Sequence, residues 1–316
     1  MTALLRLLEI FARQGRILLI GGLALGIAAP ALARAMEPLI VPLIMVMLVI
    51  AAARIGPFEA RLRPGALPRA LLVTVTLQTA MPLAGIGVLA ALGVLDAPWA
   101  LGVVLALAGA PITGSPGLAI LSRADPVPAL RQVVLGTALL PLTVLPVFWL
   151  MPVLEDPRDM LGAAARLLAI ILVSGAVGFW LHARFAALRA PEGRAALDGA
   201  MALNMAVVVI ALMAAVGPAL WAGEAALWAL LALVLGLNFA SQLAVAGTAR
   251  ALGAGMAAPA MGIVAGNRNL AIFLGALPSD IVASVMLFVG VYQVPMYFTP
   301  LVMTAIYRRM VAATPG

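Results

Sequence analysis

Residues 98–122 and 199–220 contain no charged side chain at all, and the rest of the chain repeats the pattern of long apolar runs broken by short polar ones. Such a run, wound as an α-helix, matches the ~30 Å hydrocarbon core of a bilayer. This feature restricts the fold more than any motif does. The whole composition agrees with it: 65% of residues are hydrophobic and 10% charged, against roughly half and about 25% in soluble domains. Lipid is therefore the solvent, and the expected class is an all-α polytopic membrane protein. The runs are continuous rather than alternating, which argues against a β-barrel.

Ten candidate spans follow, with approximate limits 17–34, 38–54, 70–95, 98–122, 127–153, 160–182, 199–220, 224–249, 254–277 and 280–307. The first is preceded by "RLLEIFARQGR", an amphipathic basic lead without a small-residue cleavage site, so it does not read as a signal peptide. The chain has no cysteine, which excludes disulfides, thiolate metal sites and cysteine nucleophiles. All 19 basic residues are arginine and the net charge is +7. These arginines sit between the apolar runs, so they report membrane topology rather than nucleic-acid binding. The expected partners are the lipid bilayer and a small-molecule substrate, with no nucleic acid, no cofactor and no metal.

Arginine placement also orients the chain. Arg6, Arg13, Arg16, Arg54, Arg61, Arg63, Arg69, Arg123, Arg131, Arg184, Arg189, Arg194, Arg250, Arg308 and Arg309 fall on one side of the ten-span plan. Arg34, Arg158 and Arg166 fall on the other. By the positive-inside rule both termini are expected in the cytoplasm, in a multi-pass protein of the cell inner (plasma) membrane. An even number of spans requires the same.

Span 5 holds Pro141 and Pro146, and span 10 holds Pro295 and Pro300, each pair offset by 154. The same offset carries Arg268 onto Gly114, inside "AGAPITGSPGLAI". Both regions are interrupted by helix breakers or polar residues, so spans 4 and 9 are expected to unwind near Pro111–Gly117 and Ala265–Asn269. Five spans per repeat make the halves, 1–158 and 159–316, opposite in topology. Inverted repeats with broken helices in matching places are a hallmark of secondary transporters, with substrate near the midplane.

The twelve carboxylates all lie in loops or at span ends, so no span offers a proton relay or an acidic cation site. The one deep formal charge is Arg268, in "GNRNLAIFLGAL". Burying it costs roughly 3 kcal/mol on insertion scales. Two readings stand: the guanidinium ties together loose carbonyls of two broken helices, or it binds an anion. Its hydrogen bonds are expected to go to carbonyls or hydroxyls of the opposite broken helix, with Ser115, Thr137 and Gln78 the nearest candidates. Around it, the candidate substrate or ion-site residues are Gln78, Thr113, Ser115, Thr137, Asn238, Gln242, Asn267, Asn269 and Gln293. They lie on spans 3–5 and 8–10. Spans 1, 2, 6 and 7 are nearly pure aliphatic, apart from Ser174 and Asn204.

Four stretches resemble the bile acid/sodium symporter superfamily: "LQTAMPLAG", "GAPITGSPGLAILSRAD", "GTALLPLTVLP" and "GNRNLAIFLGAL". The resemblance implies ten helices in two inverted repeats, helices 4 and 9 broken and crossing. It also implies a core (spans 3–5 and 8–10) that rocks against a panel (spans 1, 2, 6 and 7). It implies organic-anion transport coupled to sodium. Gln78, Ser115 and Thr137 match family sodium ligands. The departures are Pro116 where the family has asparagine, Val133 where it has a hydroxyl partner, Val264 where it has glutamate, and Arg268 where it has glutamine. A guanidinium about 4 Å from a sodium ion would repel it by several kcal/mol at intermediate dielectric.

The function expected is thus a secondary transporter of an organic anion, with alternating access and with Arg268 in place of sodium. The alternatives are a sodium-coupled symporter with altered ligands and a passive channel. An enzyme is not expected, because Ser115 has no deep histidine, lysine or carboxylate to activate it.

Overall fold

In lipid, each backbone N–H and C=O needs a partner within the protein, and an apolar run supplies partners by coiling on itself. Accordingly, every regular element among the described residues is helical. The structure, a computed structural model, describes residues 3–59, 64–154 and 156–312. Arg61, Arg63 and Glu155, assigned to loops from the sequence, lie outside the described residues.

The α-helices run α1 (Ala3–Arg13), α2 (Gly15–Ala28), α3 (Pro30–Met36), α4 (Ile40–Glu59), α5 (Leu67–Val75), α6 (Met81–Ala91), α7 (Ala100–Ala108) and α8 (Ser115–Leu121). They continue as α9 (Val127–Thr143), α10 (Leu145–Trp149), α11 (Pro157–Arg184), α12 (Pro191–Leu212), α13 (Val216–Trp221), α14 (Ala225–Ala251), α15 (Ala258–Gly266) and α16 (Ser279–Ala312). Seven helical runs among the described residues are long and apolar enough to cross a bilayer: Pro30–Gly56, Leu67–Ala91, Val127–Trp149, Pro157–Arg184, Pro191–Leu212, Ala225–Ala251 and Ser279–Ala312. The chain is therefore a helical, multi-pass membrane protein. Three expected spans are not single straight helices. The first is broken at Ala29–Pro30, and its helical part, α2, is bent by 84° from the preceding lead helix α1. The fourth and ninth are interrupted, and α7 and α15, at nine residues each, reach only ~14 Å at 1.5 Å per residue.

The chain divides into two compact units. One contains Met1–Arg61 and Arg166–Leu227; the other contains Leu62–Ala165 and Trp228–Gly316.

In the first unit, small residues set the helix packing. A Cβ on Gly22 would stand 2.6 Å from the Ala206 carbonyl oxygen, and one on Gly26 would stand 2.7 Å from Met213 Cβ. Contacts that advance together along both chains make α2 and α12 parallel. Asn204 Nδ2 donates to Leu43 O at 2.9 Å and Arg54 pairs with Asp198 at 2.9 Å, so α4 runs antiparallel to α12. The chain reverses at Ala29–Pro30, where Ala29 leaves helical geometry (φ −122°, ψ 70°). The sequence placed this turn near residues 34–38. Proline favours the first turn of a helix, so Pro30 starts the second run early and Arg34 sits within it. His182, expected at a span end, lies against Gly56 with its Nδ1 2.7 Å from Ala53 O. A carbonyl can only accept, so Nδ1 carries the proton.

In the second unit, the buried side chains Leu77, Ala119, Ala129, Ala246, Ile263 and Met303 pack into one cluster centred on α15. Gly102 of α7 lies flat against the Phe288 ring, which stacks in turn on Tyr292 at 6.1 Å.

Candidate functional site

Two helix breaks meet inside the second unit. α7 ends at Gly109, whose ψ of 152° turns the chain extended. Pro111 has no N–H to continue the helical ladder. α15 ends at Gly266, and Asn267 and Asn269 are extended at ψ 88° and 81°. The two extended pieces pair with each other. Pro111 and Arg268 face each other in an antiparallel bridge, Ile112 N donates to Asn267 O at 3.0 Å, and Asn269 N donates to Ala110 O at 2.7 Å. Backbone groups that lost their helical partners thereby satisfy one another away from water.

The breaks are narrower than the sequence suggested. Pro111–Gly117 and Ala265–Asn269 were the expected unwound stretches, but Ser115–Gly117 belong to α8 and Ala265–Gly266 to α15. Pro116 occupies the first turn of α8, where a missing N–H does no harm. The helix ends at Ala108 and Gly266 are 158 residues apart (266 − 108), not the 154 that separates the proline pairs.

Arg268 has no exposed surface, and its three partners are all carbonyls that lack a helical donor. Nε donates to Ala265 O at 2.8 Å, Nη1 to Gly109 O at 2.9 Å and Nη2 to Leu77 O at 3.2 Å. Ala265 O is free because Asn269 N, four residues on, bonds to Ala110 instead. Gly109 O is free because the helix stops there. Leu77 O has a subtler origin. Thr76–Ala80 form a π-helical turn in which Met81 N bonds to Thr76 O. The next bond in that register would run from residue 82 to Leu77 O, but residue 82 is proline. The Met-Pro dipeptide thus exposes one carbonyl, and the guanidinium takes it. An arginine has five N–H donors; three are used, which leaves two without an acceptor among the described residues. None of its hydrogen-bond partners is a carboxylate.

A second polar network closes around the end of α15. Asn238 Nδ2 and Tyr292 Oη both donate to Gly266 O. Gln242 Nε2 donates to Asn238 Oδ1 at 2.6 Å and to Thr299 Oγ1 at 3.0 Å. Thr299 Oγ1 donates to Asn267 Oδ1 at 3.0 Å, and Tyr307 Oη donates to Gln242 Oε1 at 3.0 Å. Asn267 Nδ2 returns to Ile263 O at 2.9 Å. Asn238, Gln242 and Asn267, named from the sequence, are thus brought together. They are linked to one another directly or through Thr299, and they tie down the end of α15.

The other sequence-derived candidates are placed differently. Arg268 was expected to bond to carbonyls or hydroxyls, with Gln78, Ser115 and Thr137 the nearest candidates; it bonds to carbonyls, and to none of these three side chains. Gln78 Nε2 donates to Gly136 O at 3.1 Å and its Oε1 accepts from Thr143 at 3.1 Å. Gly136 makes this possible, because a Cβ there would stand 2.7 Å from Gln78 Nε2 and 2.9 Å from Pro111 Cδ. Gln293 Nε2 bonds back to Val289 O of its own helix at 3.0 Å. Ser115 Oγ is fully buried and has no hydrogen-bond partner among the described residues. Thr113, Thr137 and Asn269 are partly buried, and no hydrogen bond is recorded for their side chains among the described residues.

Sequence reasoning missed Thr299, Tyr307 and the Leu77 carbonyl. A hydroxyl four residues after Pro295 and a Met-Pro step after a polar TLQTA turn were legible signals for two of these. No group of three or more histidine, cysteine, aspartate or glutamate side chains suited to a metal occurs among the described residues. Neither a family model nor a curated protein matches the chain.

Proposed function

We propose that this chain is a secondary transporter of organic anions, of the bile acid/sodium symporter type, in which Arg268 is a fixed internal cation where such carriers bind removable sodium. The reading includes ten spans in two inverted repeats, 1–158 and 159–316, and both termini in the cytoplasm. One observation carries it. A guanidinium with no exposed surface is held, among the described residues, only by the carbonyls of Gly109 and Ala265 at the paired breaks and of Leu77 in the adjacent π turn, with two N–H donors left over. A buried cation without a carboxylate partner is costly, and an anionic substrate that reaches the site offsets that cost. The unpartnered Ser115 hydroxyl adds a further donor in α8, next to the break. The parallel course of α2 and α12 and the opposite course of α4 fit alternating spans.

The test is uptake by the purified chain in proteoliposomes, across a panel of carboxylates and sulfonates, as sodium is exchanged for potassium or choline. Uptake is expected to be unchanged by the exchange. Uptake that collapses without sodium, with saturable sodium binding, would mean that Arg268 does not replace the ion.

A further inference from the structure

We infer that the membrane potential drives this transport and that, in a cell with a negative interior, its direction for a monovalent anion is outward. The inference rests on the carrier reading above and adds its energetics. Arg268 is part of the protein and stays with it: its three partners are backbone carbonyls of the same unit, and its cation is permanent at physiological pH. With a monovalent anion beside it, the site is neutral, so the loaded carrier changes its accessible side without moving net charge. Empty, the site is +1, so the return step moves one positive charge. Summed over a cycle, only the charge of the substrate crosses the membrane. A sodium-coupled carrier differs, because its cations travel with the anion and cancel or reverse that charge.

The magnitude decides the direction. One elementary charge moved through 100 mV is equivalent to a factor of about 50 in equilibrium ratio. A negative interior therefore expels the anion unless the outside concentration exceeds the inside by roughly that factor per 100 mV. An anion accumulated by metabolism or by another carrier is the substrate such a device disposes of.

The full chain, reconstituted in proteoliposomes with valinomycin-clamped potassium potentials, separates the two half-cycles. The probes are radiolabelled lactate, gluconate, phenylacetate and a naphthalenesulfonate. Homoexchange uses only the loaded step and is expected to change less than about twofold between −100 and +100 mV. Net uptake uses the empty step as well. At 100 mV inside-positive it is expected to reach an accumulation of about 50-fold, and at 100 mV inside-negative to give exclusion by the same factor. Exchange that proceeds together with an accumulation ratio of one at every potential overturns the inference, because another ion must then neutralise the cycle. If no probe exchanges, the carrier reading itself falls. In Arg268→Gln the loaded site becomes −1 and the empty site neutral, so exchange gains voltage dependence; exchange that stays insensitive in this variant also overturns the inference. Arg268→Lys keeps the charge, so the exchange it retains is expected to stay insensitive to voltage. The wild-type accumulation ratio decides the matter even if neither variant folds.

Discussion

Arg268 is buried as fully as Phe273 or Leu105, yet its side chain carries a charge that hydrocarbon cannot solvate. Its environment is a set of carbonyl dipoles, each freed for a local reason. Substitution separates the two contributions. Arg268→Ala removes the charge but leaves three acceptors unpaired, each worth about 1–3 kcal/mol, and it empties a large volume. We expect a lower thermal midpoint in detergent and loss of uptake. Arg268→Lys keeps a cation whose three donors cannot form the planar fork. It is expected to unfold at a temperature between the wild type and the alanine variant. A lysine variant no more stable than the alanine one would show that buried charge and donors do not hold the breaks together. Glycine supplies the second residue-scale prediction. A Cβ on Gly102 overlaps the Phe288 ring, whereas one on Gly247 meets nothing within 4 Å. Gly102→Ala is expected to destabilise by about 1–3 kcal/mol through overpacking. Gly247→Ala, in the interior of α14, is expected to be neutral or to gain up to about 1 kcal/mol. Paired thermal-unfolding curves check the contrast.

At the scale of elements, the π turn before α6 and the two breaks are one device. Proline at position 82 denies Leu77 O its helical donor, the extended turn at Gly109 and the diverted Asn269 N–H deny partners to Gly109 O and Ala265 O, and one side chain collects all three. Pro82→Ala restores an N–H in register with Leu77 O. The helix through Thr76–Ala91 then competes with Arg268 for that carbonyl. We expect fold stability within about 1 kcal/mol of wild type, because a proline in a helix interior is itself unfavourable. Uptake is expected to fall, because the guanidinium loses one of its three supports. Thermal unfolding and uptake measured on the same preparation test this. Equal uptake would show that the Leu77 contact is dispensable.

At the scale of the molecule, the absence of cysteine is an experimental advantage, since any introduced thiol is unique. Asp96, Ala187, Ala222 and Leu252 are all exposed positions at loops or short connections. Single cysteines at 96 and 222 are expected to react with an impermeant maleimide from outside intact cells. Those at 187 and 252 are expected to react only after the membrane is opened. The reverse pattern would invert the topology drawn from the arginines, and a mixed pattern would refute the ten-span plan.

The sequence by itself determined the solvent and the class of element. Apolar runs of bilayer length leave helices as the available answer, and proline and glycine mark where those helices stop. It also identified Arg268, because a lone charge in "MGIVAGNRNLAIFLGAL" is costly wherever it is placed. It misjudged the reversal at Ala29–Pro30 and the ends of both breaks, since a proline reads alike whether it starts a helix or ends one. Only the tertiary structure decided the partners. Loose carbonyls were among the expected partners, with Gln78, Ser115 and Thr137 the nearest candidates, but the carbonyls that hold the guanidinium, those of Leu77, Gly109 and Ala265, were not identified. Every residue has a carbonyl, so no residue type announces a free one. It becomes free when its helical donor is absent or diverted, and it becomes useful when another segment of chain lies beside it. The second condition is a fact of packing between residues up to 191 positions apart.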